Sequence, residues 1–368
     1  MIHSIASVLS ILIVLLIISA DSVFAQRLAY VTNLNSSEVS VIDTETNLVI
    51  DTIPVEDGSQ GVAITPDGTR AYVTGGAVSN NVSVIDTATN TVVGTIPVGP
   101  NTADVAITPD GTRAYVTCGG SSNVTVIDTS TNTVLDTIPV GPNPIGVAIT
   151  PDGARAYVAN FGSSNVSVIN TATNTVFDTI PLGLTPVGVA ITPDGARAYV
   201  TDLNSTEVSV INTVNNTVVD TITVGTNPAG VAITPNGARA YVTNASSDSV
   251  SVIDTATNTV IETILVGFHP SNPAGMAITP DSARVYVAVL EHDYVTVIDT
   301  ATNTIVDTIT AGDGPFRVAI TTLPPPPPPP PHAKVPALSE WGMIIMASVM
   351  GIVGYAVIRR RMVSVSRR

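Results

Sequence analysis

The sequence predicts an all-β chain folded as one closed seven-bladed β-propeller of four-stranded antiparallel blades, followed by a C-terminal membrane helix. Three observations lead there. First, one tyrosine recurs seven times, at Tyr30, Tyr72, Tyr115, Tyr157, Tyr199, Tyr241 and Tyr286, with steps of 42, 43, 42, 42, 42 and 45 residues. A fixed period in this range marks a solenoid, a propeller or an array. Second, each unit holds four short runs rich in Val, Ile, Thr and Tyr, separated by Gly, Pro, Asn, Asp and Ser, which is strand and turn chemistry. Four antiparallel strands per unit make one blade. Third, the repeats are offset. They begin in a second strand, Arg27–Thr32, and end in a lone first strand, Val318–Thr321. Pairing the spare strand with the incomplete first unit closes the ring and hides the edges that an open stack exposes. An open solenoid needs polar capping repeats instead, and no unit has that character.

The third unit contains all four strands and their turns. Strand A is Val105-Ala-Ile, the A–B turn is Pro109-Asp110-Gly111, and strand B holds Ala114-Tyr-Val-Thr117. A Gly/Ser loop leads to strand C, Asn123–Asp128. Ser130-Thr131-Asn132 then turns the chain into strand D, from Thr133 to Val140. Pro and Gly in the A–B turn fit a type I turn that leaves through a left-handed residue. The Asp and Asn of the C–D turn bond their own backbone and tolerate positive φ. No stretch between the chain ends has helical spacing with caps, which excludes helical repeats.

The Tyr-Val-Thr-Asn core (Tyr30–Asn33, Tyr241–Asn244), the Thr-Pro-Asp-Gly turn and the Val-Ile-Asp-Thr strand resemble the YVTN family of β-propeller repeats. The resemblance covers roughly residues 27–321. It implies a propeller of the kind common on bacterial and archaeal surface proteins. It implies little about activity, because propellers host many.

Residues 1–25 read as a secretory signal peptide, with an apolar stretch Ile5–Ala20 and small residues before a cleavage point between Ala25 and Gln26. The stretch before it lacks Lys and Arg, so an uncleaved anchor is the alternative. The propeller takes 26–322. A linker, 323–334, contains eight prolines, Pro324–Pro331, a polyproline II rod of about 25 Å. Residues 335–361 follow, then a cytoplasmic tail, 362–368. The segment 335–361 holds Val335, Pro336, Leu338, Ser339, Glu340, Trp341 and Gly342, then an uncharged run to Ile358, then Arg359, Arg360 and Arg361. Seventeen helical residues span about 25 Å, slightly short of a typical hydrocarbon core. The arginines act as a membrane stop on the cytoplasmic side. This order of pieces resembles the IPTL-CTERM class of sorting signals. The resemblance implies an exosortase-type processing enzyme as partner and a location at the cell envelope or surface. Val335 and Ala337 stand where that pattern has Ile and Thr. A plain transmembrane anchor, with Trp341 as an interfacial aromatic, is the alternative.

The propeller carries eight basic and 27 acidic side chains, a formal charge of −19. Such a surface repels phosphate backbones, so nucleic acid is excluded as a partner. The recurring acids Asp67, Asp110, Asp152 and Asp194 sit in the A–B turns and read as solvated turn residues. Cys118 is the single cysteine, so no intramolecular disulfide exists. It reads as a small residue at a strand end. Arg27, Arg70, Arg113, Arg155, Arg197, Arg239 and Arg284 recur just before the tyrosine, which argues for a structural role such as pairing with an Asp of a turn or of a neighbouring blade.

Two near-constant turns, A–B and C–D, share one face, the scaffold face. The B–C and D–A loops share the other and vary, as binding sites on rigid frames do. The last unit diverges most there and carries His269, Glu291, His292, Asp293 and Tyr294, a candidate ligand face. A terminal blade that has drifted is the competing reading. Hydrolase, metalloprotease, EF-hand and Walker motifs are missing. The expected function is therefore a non-catalytic, exported binding scaffold, without cofactor, whose partner is an extracellular or periplasmic protein or glycan. A metal-dependent, lactonase-like hydrolase and a surface-layer-type component are the alternatives.

Overall fold

The β-branched runs and turn formers of each repeat build the strands where the spacing places them. The computed structural model describes residues 27–322 other than Val78, Leu184 and Pro270. It contains seven four-stranded antiparallel sheets. In the third blade, strands A to D are Thr102–Ile107, Arg113–Cys118, Asn123–Asp128 and Thr133–Pro139. The expected signal peptide with its Ala25–Gln26 junction, the proline linker and the whole of 335–368 lie outside the described residues. Among the described residues no helix is long and apolar enough to cross a membrane.

The ring closes as the repeat offset predicts. Pro315–Ile320 supplies strand A of the first blade and pairs antiparallel with Leu28–Asn33, setting Tyr30 against Ala319 and Val31 against Val318. Thr321 then accepts a bond from Leu28 N through its Oγ1 at 2.9 Å and returns one from its own N to Leu28 O at 2.9 Å.

The A strands of successive blades pack side by side around the centre, and the D strands form the rim. Burial follows. Strands B and C of the third blade are buried almost throughout, whereas strand D buries one side chain, Ile138. The apolar clusters lie between blades. Tyr115, Val124, Val126 and Ile138 of the third blade pack on Val147, Ala156, Val158 and Ile169 of the fourth. Tyr286, Val295 and Val297 of the last blade pack likewise on Val31, Ile42 and Val318 of the first. Each blade thus depends on its neighbours for a core.

Polar bonds follow the same direction. Each strand-B tyrosine donates its hydroxyl to the C–D-turn asparagine of the next blade, for example Tyr115 to Asn174 at 2.9 Å and Tyr157 to Asn216 at 2.8 Å. Tyr286 completes the circle on Asn47 at 2.7 Å. Those asparagines have φ between 51° and 56°, the left-handed region that Asn tolerates. The recurring arginines reach the same turns but mostly bond carbonyls rather than carboxylates: Arg113 to Thr171 O at 2.7 Å, Arg197 to Thr255 O at 2.8 Å. Arg27 is the exception, an ion pair with Asp281. Cys118 is fully buried, its Sγ 3.6 Å from Thr125 Oγ1.

Candidate functional site

The A–B and C–D turns meet on one face, as where Thr171 Oγ1 donates to Gly153 O at 2.5 Å. Clefts between these turns repeat with the blades. One of about 540 Å³ is lined by Asp110, Arg113 and Asp152, and another of about 630 Å³ by the corresponding Asp194, Arg197 and Asn236. Their repetition marks them as scaffold. B–C and D–A loops meet on the other face, as where Gly119 N donates to Asn101 O at 2.8 Å.

Towards that loop face the A strands of successive blades contact one another. In the third blade the A–B register shifts between Thr102, opposite Cys118, and Val105, opposite Val116. The residue just before that valine approaches the next blade closely. In five blades it is glycine: Gly61, Gly146, Gly188, Gly230 and Gly275. A Cβ on Gly146 would lie 2.2 Å from Val187 O, and one on Gly188 would lie 2.5 Å from Ala229 O. Two blades break the pattern. The third carries Asp104 and the first carries Arg317, and both flank the second blade.

Arg317 Nη2 stands 4.0 Å from Asp104 Oδ2, with the side chains 22% and 18% exposed. Asp104 is held on both oxygens, Oδ1 accepting from Val105 N at 3.0 Å and Oδ2 from Val147 N at 3.4 Å. Arg317 lies 5.8 Å from the centroid of the Phe316 ring. Its Nε is buried and has no hydrogen-bond partner among the described residues, an arrangement that costs about 1–3 kcal/mol for a buried donor. Beside it a cavity of about 240 Å³ is lined by Ile145, Val187, Ala274, Leu290 and Phe316 together with Arg317. One side of this mouth is apolar and the other carries a cation. Arg317 and Asp104 are not among the residues singled out from the sequence. Two signals pointed to them: an eighth arginine where the repeat requires seven, and two charged residues in a column of glycines.

The five predicted residues of the last blade occupy the same face but serve mostly to hold a D–A loop. His269 Nδ1 is 2.7 Å from Asp248 Oδ2, and Asp248 Oδ1 accepts from Ser271 N at 2.7 Å and Ser271 Oγ at 2.9 Å. Burial acts to raise the Asp248 carboxyl, but the bonds from Ser271 and His269 hold it below the usual carboxylate range. His292 stacks on Tyr294 at 5.7 Å between centroids, and its Nε2 is 2.9 Å from Phe268 O. Tyr294 Oη donates to Val266 O at 3.2 Å, and burial followed by the Asp248 charge raises its phenol. Asp293 accepts from Gly314 N at 2.9 Å, and Glu291 N donates to Ser271 O at 3.4 Å. His292 and Tyr294 are brought together; His269 pairs with Asp248 instead. Among the described residues no group of three or more His, Cys, Asp or Glu is placed to hold a metal ion.

Comparison with known proteins agrees with this architecture. Residues 119–272 match the choice-of-anchor I domain, and residues 335–361 match the IPTL-CTERM motif. No curated protein matches the chain. Solved structures with a similar fold include a functionally unknown protein from Desulfotomaculum acetoxidans (21% identity, TM-score 0.71, covering 81% of this chain and 99% of that one). Hydrazine synthase of Kuenenia stuttgartiensis is another (25% identity, TM-score 0.64, 71% and 88%). A third is a putative 6-phosphogluconolactonase from Bacteroides fragilis (18% identity, TM-score 0.66, 81% and 98%). The Tyr-Val-Thr-Asn label remains a resemblance, whereas the tail motif is matched over the segment expected from its residues. The chain is a seven-bladed β-propeller protein with a C-terminal IPTL-CTERM sorting motif, the mark of an exported cell-surface protein.

Proposed function

We propose that this chain is a non-catalytic binding propeller displayed outside the cytoplasm, with its loop face as the ligand surface. The observation that carries the reading is the sorting motif at 335–361, which follows the eight prolines in the sequence. In this reading the signal peptide exports the chain, and the tail holds it in the membrane at least transiently. An exosortase-type enzyme processes that tail, and a protein or glycan outside the cytoplasm is the partner. Protease treatment of intact cells producing the full chain tests the display. Cleavage in linker 323–334 before lysis is expected; protection until lysis would sink the reading.

The fold likeness to a putative 6-phosphogluconolactonase keeps a hydrolase reading in play. A thermal melt of the full chain with EDTA and with calcium separates the two, because a metal bound only by the native state raises the midpoint by mass action. The binding reading expects no shift. A shift of several degrees favours the hydrolase. Self-association that grows with concentration would favour a surface-layer component.

A further inference from the structure

We propose that the axial mouth on the loop face binds a small organic monocarboxylate, an apolar or aromatic body ended by one carboxylate, with Arg317 as the anion receiver. The proposal rests on the loop face being a ligand surface, as read above, and adds a small-molecule ligand at its centre to the protein or glycan partner. Charge placement is the first argument. Six of the propeller's eight arginines stand two residues before the tyrosine, Arg27 stands three before Tyr30 and pairs with Asp281, and no lysine lies within the propeller. Among the described residues, Arg317 is therefore the single permanent cation at the mouth, set in a ring of formal charge −19. An anion that approaches the loop face has one guanidinium to meet.

The bonding state of that guanidinium is the second argument. Arginine offers five N–H donors in a fork that suits a carboxylate. Here its one polar side-chain contact among the described residues is Asp104 at 4.0 Å, and Nε has no partner. Asp104 is already held by Val105 N and Val147 N, so it is the better satisfied of the two. The shape of the mouth agrees. The cavity of about 240 Å³ lies below the range of drug-sized sites, about 300–1,000 Å³, and its walls beside Arg317 are Ile145, Val187, Ala274, Leu290 and Phe316. These walls take an apolar body. Asp104 beside the guanidinium repels a dianion more than a monoanion, which selects carboxylate over phosphate.

Titration calorimetry on the full-length chain in neutral nanodiscs tests this with phenylacetate, phenylacetamide and inorganic phosphate as probes. Phenylacetate should bind at least about tenfold tighter than its amide, and phosphate should bind more weakly than phenylacetate. Arg317→Met should abolish the preference for the acid. Asp104→Asn, which removes the competing carboxylate, should tighten phenylacetate binding. Equal binding of acid and amide overturns the proposal, as does tighter binding of phosphate. So does a preference that survives in Arg317→Met at an unchanged melting midpoint. If Arg317→Met fails to fold, the Asp104→Asn variant decides, and unchanged affinity there overturns the proposal. Failure of the binding-propeller reading shows separately: a chain protected from protease on intact cells removes surface display whatever the affinity, whereas loss of the acid preference alone removes only the ligand class.

Discussion

Asp202 shows how one residue can depart from a repeat and record the cost in its titration. It ends strand B of the fifth blade, fully buried, where other blades place Asn33, Asn160 and Asn244. Those amides donate from Nδ2 to a strand-C serine, at 2.9 Å to Ser40, 2.8 Å to Ser167 and 3.0 Å to Ser251. Asp202 instead accepts from Ser209 Oγ at 2.9 Å, and its Oδ1 has no partner among the described residues. Burial, opposed by the Ser209 bond and aided by the Glu207 charge, pushes its carboxyl up to about 6. The folded state therefore holds a proton that the unfolded chain, titrating near 3.9, has already lost. Stability contributed by this group is present below about pH 4 and falls as pH rises through about 6. Asp202→Asn restores the amide, so we expect it to stabilise the protein by about 1–3 kcal/mol near neutral pH and by about nothing below pH 4. Urea denaturation at the two pH values checks this, and an equal gain at both would contradict it.

At the scale of the element, strand D is the vulnerable piece, because it forms the rim and leaves an edge unpaired. Every C–D ladder shifts register once. In the third blade Val126 faces Asp136 and Ile127 faces Val134, so Leu135 bulges outward. A bulge bends an edge and hinders pairing with another chain. The acid after the bulge also ties blades together, as Asp136, Asp178 and Asp220 accept from Asn174, Asn216 and Asn258 at 3.1, 2.7 and 2.8 Å. The second blade has Gly94 at this place, with nothing within 4 Å of where its Cβ would stand. Gly94→Asp removes a strand glycine and offers Asn132 a partner. It should raise stability by about 1 kcal/mol, seen as a higher melting midpoint. A gain of the same size in Gly94→Ala would show that the Asn132 bond adds nothing.

For the whole molecule, closure decides cooperativity. The cluster between the last and first blades is built like the other six, yet its Val318 reaches the first blade from the far end of the propeller. Removing 315–322 while keeping the tail leaves the first blade with three strands and exposes the edge of Leu28–Asn33. Such a protein should lose its sharp melt and associate as concentration rises, because an unpaired edge templates pairing between chains. A sharp, concentration-independent melt would show that six complete blades and one incomplete blade suffice.

Blade number, strand order, the closing strand and the division into two faces were all legible in the residues. Period and turn chemistry are local properties, so Tyr115, Pro109-Asp110-Gly111 and Asn132 are read correctly without neighbours. The tail motif was legible for the same reason, since its residues are contiguous. Which strand-A residues meet across separations of 43 to 213 positions depends on the folded ring. Asp104 and Arg317 lie in ordinary-looking strands of the third and first blades, and the ring alone brings them to one mouth, 4.0 Å apart. It likewise engaged His269, His292 and Asp293 with two different D–A loops: His269 lies in the loop before the last blade and meets Asp248, His292 meets Phe268 O of that same loop, and Asp293 meets Gly314 in the loop after the last blade. Their bonds run to backbone and to Asp248, and no spacing rule in a sequence specifies such partners.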